Sequence, residues 1–279
     1  AIKRKGNKPP LFLVHPIGAL VLCYEPLARA LPDDQPVYGL QARGFEGKEH
    51  AFTNLPEMAA FYIEAIKTLQ PQGPYYLGGQ SLGGVIAYEM ARQLKAQGDE
   101  IALLAMMDSY IPNQRKQIDD AVMIKAFIES NIGETGIALK ALRAMTAEQR
   151  IDALFNAADG AFSRDFIAQA IEILRGFNQM LLDYRPKASN LPLILFRPEE
   201  VLQQTSRKIL GVVRPGFALK SGWDKLVGHD ITVHRVGGGH DSMLRPPHAE
   251  ELAQILAQEI DQTTAQSPIA SPIASGKNR

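Results

Sequence analysis

The chain has 279 residues, 46% of them hydrophobic, with 30 Lys and Arg balanced by 30 Asp and Glu. That length can bury one large core or two modest ones, and the charge balance excludes a net pull toward nucleic acid or an anionic membrane surface. No apolar run approaches the roughly 18 residues of a membrane span. The single cysteine, Cys23, excludes an internal disulfide, favours a cytoplasmic setting, and is expected to be a small core residue.

Residues 1–10 are basic, end on Pro9 and Pro10, and carry neither an initiator Met nor a signal-peptide apolar core. They read as a linker continuing a longer polypeptide. Leu11 to Val14 is a continuous apolar run, suited to a strand buried on both faces. Residues 24–31 have a helical pattern, and 37–40 form the next strand. Asn54, followed by Pro56 and Glu57, marks a helix start with Asn54 as its cap. That helix groups Met58, Tyr62, Ile63 and Ile66 on one face and should run to about Leu69. A strand from Tyr75, a helix through 85–91 and a strand at 102–107 complete a β-α-β alternation, which implies a parallel sheet with helices on both faces.

The alternation then stops. From 112 to 185 the patterns are helical: 121–128, a stretch opened by a Thr146/Gln149 capping box, and 166–182. Strands return at 193–196 and 231–236, and a last amphipathic helix spans about 247–260. The expected organisation is a core of 11–111 and 186–262, interrupted by a helical insertion at 112–185. Lying over the carboxyl ends of the strands, the insertion should act as a lid forming the substrate pocket. Residues 263–279, with Ser-Pro-Ile-Ala written twice, are expected to be a disordered tail.

The most informative stretch is Gly79-Gln80-Ser81-Leu82-Gly83, between a strand and a helix. It matches the nucleophile elbow of α/β-hydrolases: the flanking glycines permit a turn so sharp that the serine hydroxyl stands above the sheet edge. A serine needs a base. Of His15, His50, His229, His234, His240 and His248, the best placed is His240, which follows three glycines past the strand ending at Val236. His234 falls within that strand, His248 opens the last helix, and His50 and His229 lie in polar loops. Asp108 directly follows the strand after the elbow and could orient the imidazole. Glu199 and Glu200 follow a later strand and are the competing acids, while Asp241 adjoins the histidine and should point elsewhere. For the oxyanion, the donors expected are the backbone N–H of Leu82 and that of Ile17, in the loop His15-Pro16-Ile17-Gly18-Ala19. His15 is expected to bond locally and shape that loop.

His15-Pro16-Ile17-Gly18, Gly78-Gly79-Gln80-Ser81-Leu82-Gly83-Gly84, Met107-Asp108-Ser109 and Gly239-His240-Asp241-Ser242-Met243-Leu244 occur in this order. Over residues 9–262 the chain thereby resembles the terminal (type I) thioesterase domains of nonribosomal peptide synthetases and polyketide synthases. Two departures are Ala19, where many members have a second glycine, and Gln80, where an aromatic residue is common.

The resemblance implies an α/β-hydrolase fold, a mostly parallel sheet flanked by helices with an inserted lid, and favours Asp108 as the acid. It implies that an acyl chain passes from the phosphopantetheine arm of a carrier domain in the same polypeptide to Ser81, then to water or to a nucleophile of the chain itself. Neither a cofactor of its own nor a metal is implied, and a monomeric domain is the simpler expectation. The alternatives are a stand-alone editing (type II) thioesterase, a carboxylesterase or lipase, and, more remotely, a non-catalytic binding module.

Overall fold

The computed structural model describes residues 1–43, 52–112, 119–132, 135–200, 220 and 222–266. Six strands form one sheet: β1 (Leu11–Val14), β2 (Val37–Leu40), β3 (Tyr75–Gln80), β4 (Ile101–Met107), β5 (Leu193–Pro198) and β6 (Thr232–Val236). Their order is β2-β1-β3-β4-β5-β6, and every neighbouring pair is parallel. Around it run α1 (Glu25–Ala30), α2 (Leu55–Lys67), α3 (Leu82–Ala96), α4 (Asp120–Ile132), α5 (Leu139–Ala144), α6 (Ala147–Ala157), α7 (Arg164–Asp183), α8 (Trp223–Val227) and α9 (His248–Gln266).

The apolar runs become central strands because both faces of the sheet are covered. Phe12, Val14, Leu77, Leu104, Met106 and Leu195 face the side packed by α2 and α3. Leu11, Leu13, Tyr76, Leu103, Ala105 and Phe196 face α1 and α9. Successive side chains point to opposite faces, so a strand clad on both sides has no polar alternation to display. The expected caps are present. Asn54 accepts from the Glu57 N–H at 2.8 Å, and Thr146 and Gln149 close a reciprocal capping box.

The chain steps from β1 outward to β2, then returns to β3 on the other side of β1. Such a reversal opens a crevice beyond the carboxyl ends of the strands. Register then decides which residues line it. Val14 lies opposite Gly79 and Gln80 opposite Met107, so His15, Ser81 and Asp108 all emerge at one edge.

Helices α4 to α7 lie between β4 and β5 in sequence and bury a cluster of their own, including Phe127, Ile128, Leu142, Leu154, Ile167 and Leu174. Helix α7 joins this cluster to the sheet, because its Ile173, Phe177, Met180 and Leu181 belong to the core beside α3. A polar joint closes its end: the Tyr184 hydroxyl donates to Glu89 of α3 at 2.8 Å, where Arg92 and Gln93 also bond the carboxylate. Burial alone would raise the Glu89 pKa, but these three partners hold it below the usual carboxylate range.

Several details differ from the sequence expectation. Helices α5 and α8, of 6 and 5 residues, are too short to establish an apolar period. Helix α9 continues past Ile260 to Gln266, where Thr263 and Thr264 bond the Ile260 carbonyl and Thr264 meets the Tyr76 hydroxyl at 2.9 Å. Cys23 is exposed rather than in the core, because in the short 3-10 turn Leu22–Tyr24 it is Tyr24 that turns inward. Residues 1–10 run beside the outer edge of the sheet, where Lys3 pairs with Val37 and Lys8 reaches Asp34 and Asp261. His50 and residues 267–279 lie outside the described residues.

Candidate active site

Ser81 occupies the turn between β3 and α3 at φ 55° and ψ −116°, a conformation that costs a non-glycine residue about 1–3 kcal/mol. Its backbone is fixed by an N–H bond to the Met107 carbonyl at 2.9 Å. The glycines around it are required by close approach. A Cβ at Gly79 would strike the backbone of Gly83, and one at Gly83 would strike the Val14 carbonyl oxygen. Of the four non-glycine residues with positive φ among the described residues, three line this edge: Ala19, Ser81 and Asp108. Strain concentrated at one sheet edge is the expected signature of a functional site.

Asp108, fully buried, extends the ladder by bonding the Phe196 carbonyl through its N–H at 2.8 Å. Its Oδ2 receives Nδ1 of His240 at 2.6 Å, and its Oδ1 receives Nη1 of Arg197 at 2.6 Å. Burial pushes the Asp108 pKa up; the bond and charge of His240, with Arg197 and the Tyr110 hydroxyl, outweigh it and hold the group below the ordinary range. The carboxylate is therefore an anion at neutral pH, and His240 is held through Nδ1. Glu199 and Glu200, the competing acids, pair through their backbone N–H groups with the carbonyls of Val236 and Gly238. Asp241 is exposed.

The loop after β1 carries His15, which is fully buried. A carbonyl only accepts, so Nδ1–H donates to the Pro16 oxygen at 2.7 Å and Nε2 accepts from the Tyr62 hydroxyl at 2.9 Å. Burial pulls its pKa down to about 4, and Phe177 stacks on the ring at 5.2 Å. His15 is thus a neutral strut that shapes the loop, as its sequence position suggested. Ile17, two residues on, is partly buried and packs against both the main core and the insert cluster. Leu82 opens α3, where backbone N–H groups have no intrahelical partner and the dipole favours an anion.

Among the described residues, the remaining histidines have other partners, and His248 lays its ring against Gly237 and Gly238. His234 of β6 bonds Glu259 at 2.7 Å, His229 bonds the carbonyls of Asp230 and Leu191, and His248 opens α9. Three contributors were not read from the sequence. Gln80 donates its side-chain amide to the His240 carbonyl oxygen and its own backbone N–H to the Tyr24 hydroxyl oxygen at 2.8 Å. Trp223 donates Nε1–H to the Ser109 carbonyl at 3.1 Å, bracing the turn that carries Asp108. Arg197 is the third. Only the odd glutamine at position 80 gave a signal in the sequence; the other two act across long separations.

A strained serine at a strand–helix turn, at the carboxyl edge of a parallel sheet and with a histidine–carboxylate pair at that edge, defines an α/β-hydrolase fold. Residues 9–260 match the thioesterase domain family, and the chain belongs to it. Among relatives, it is 49% identical over 120 residues to a dimodular nonribosomal peptide synthase of Bacillus subtilis, covering 43% of this chain and 5% of that protein. It is 31% identical over 268 residues to a non-reducing polyketide synthase of Pseudevernia furfuracea, covering 90% of this chain and 12% of that one. The chain thus spans a small part of these relatives. Among solved structures, it resembles the four-domain nonribosomal peptide synthetase holo-AB3403 (TM-score 0.80, 27% identity, 96% of this chain and 20% of that one). It also resembles the NocB thioesterase domain in covalent complex with a fluorophosphonate nocardicin G analogue (TM-score 0.65, 27% identity, 91% and 96%).

Proposed function

We propose that Ser81, His240 and Asp108 form a catalytic triad that releases a peptidyl or polyketidyl chain from the phosphopantetheine arm of a carrier domain in the same polypeptide. The observation that carries this reading is the 2.6 Å bond between His240 Nδ1 and Asp108 Oδ2, at the edge where Ser81 stands. With Nδ1 engaged, Nε2 takes the serine proton as Oγ attacks the thioester carbonyl. The N–H groups of Ile17 and Leu82 hold the oxyanion. Its collapse breaks the C–S bond, His240 returns the proton to the departing thiolate, and an acyl-Ser81 remains. Water, or a hydroxyl or amine of the acyl chain, then gives its proton to His240 and attacks the acyl carbon; as the acyl–Oγ bond breaks, His240 passes that proton to Ser81, yielding a linear acid or a macrocycle.

In this reading α4 to α7 are a lid over the crevice, and their contact with Ile17 links the lid to the oxyanion loop. The domain works in the cytoplasm without a cofactor of its own, since the pantetheine arm comes with the carrier. The relatives, being multidomain synthases, support the integral domain over a stand-alone editing enzyme. The test compares one acyl chain offered as a carrier-bound thioester, a pantetheine thioester and a simple oxygen ester. Preference for the carrier-bound thioester is expected. Equal or greater turnover of the oxygen ester would replace the reading with an esterase, and selective clearing of short acetyl-carriers would replace it with an editing thioesterase.

A further inference from the structure

We propose that Arg197 is the positioning residue of the acid, a fixed cation that divides the Asp108 carboxylate so that one oxygen is always turned to His240; the inference rests on the triad reading above.

Arg197 lies on β5, next to β4 in the sheet, near the strand end where the alternative acids Glu199 and Glu200 follow. Its Nη1 takes Oδ1 at 2.6 Å and leaves Oδ2 to the imidazole at 2.6 Å. A carboxylate turns readily about its terminal torsion, whose wells are broad. A partner on one oxygen, itself rigid, removes that freedom. Arg197 is rigid for two reasons: its side chain is 13% exposed, and its guanidinium lies over the Tyr110 ring at 4.4 Å. Tyr110 follows Asp108 by two residues and bonds the same carboxylate, so cation, ring and acid form one block. A lysine could supply the charge but neither the planar stack nor the fork geometry.

The charge has a second consequence. The active pair is neutral His240 beside anionic Asp108, and adding one proton to the pair inactivates it. A cation against the pair opposes that proton whichever partner takes it, so Arg197 lowers the macroscopic pKa of the pair. Among the described residues, the titratable groups near the pair include Tyr110, from the turn after β4, Glu200, whose carboxylate lies against Gly239, and two from α9: His248, against Gly237 and Gly238, and Glu251, which accepts from the Gly237 N–H. A negative charge at Glu200 or Glu251 would act in the opposite sense, and both are kept in every variant. Removing Arg197 therefore moves the acid limb of the rate profile to higher pH.

The test is the pH dependence of kcat/KM for the wild type, Arg197→Lys and Arg197→Met, with a short acyl N-acetylcysteamine thioester. Arg197→Met should lose about 10- to 100-fold near neutrality, the worth of a charged hydrogen bond, and its acid limb should shift upward. Arg197→Lys should keep the wild-type limb and lose part of the rate. If Arg197→Met does not fold, Arg197→Gln, which keeps donors without charge, should show the same upward shift. A wild-type limb in the uncharged variant, or equal losses in Lys and Met with no shift in either, overturns the inference. Asp108→Asn in the same assay separates the two readings. Wild-type activity in Asp108→Asn would sink the triad, whereas an inactive Asp108→Asn beside an unshifted Arg197→Met would sink only the role of Arg197.

Discussion

The sheet edge and the helical insert are built by different means. At the edge, backbone ladders extend past the strands to Ser81 and Asp108, both at positive φ, Ser81 is wedged between glycines, and His15, Gln80 and Asp108 are buried with partners. In the insert, α4 to α7 hold together through apolar clusters and through ion pairs such as Arg143–Asp119 and Arg164–Asp152, both at the surface. Exposed pairs of this kind contribute little, because solvent and salt screen them. In the proposed reading the chemistry sits on the edge, and the insert shapes what reaches it.

Breaking the edge should have the larger effects. Asp108→Asn leaves a buried partner for Arg197 but the wrong tautomer for His240, and a loss in kcat on the order of 10^4-fold is expected, measured by thioester hydrolysis. In the insert, Leu174→Ala opens a cavity in the cluster and should cost about 2–5 kcal/mol of local stability. Its mark should be faster amide exchange in α4 to α7, with little change in β1, β3 and β4. Turnover should fall more for long acyl chains than for short ones.

His15 sharpens the comparison through pH. Its pKa is pulled from 6.5 to about 4, so between these values the unfolded chain binds a proton that the folded one refuses. Its contribution to stability is present above about pH 6.5 and lost as pH falls toward 4, amounting to at most about 3 kcal/mol. His15→Gln should flatten the fall in Tm across that window. The smallest effect is expected at Ala19, where φ is 64° and the site is fully buried. Ala19→Gly relieves a left-handed strain of about 1–2 kcal/mol but gives up a buried methyl and loosens the unfolded chain. A Tm change of only a few degrees is the expected result.

What could be read in the sequence was what is local. The strands announced themselves as apolar runs, Asn54 and Thr146 as caps, and the elbow by its glycines, because each signal lies within one turn or strand. Asp108 was separable from Glu199 and Glu200 only by resemblance, since parallel strands bring all three toward one edge and register alone decides which meets the histidine. Arg197 and Trp223 stayed hidden because their partners lie 89 and 114 residues away, and Gln80 stood out as an odd residue while its partner, 160 residues on, did not. Cys23 was misjudged because a short turn carries no periodicity to say which side chain faces inward.

The central claim, that the acyl chain is carried on Ser81, is tested most directly by intact-protein mass spectrometry. The wild type and Ser81→Ala would each be mixed with a peptidyl or polyketidyl thioester and the adduct mapped by proteolysis. The account predicts a transient acyl adduct on Ser81 of the wild type, followed by product release, and neither in the variant. An adduct at another residue, or turnover by Ser81→Ala at the wild-type rate, would contradict it.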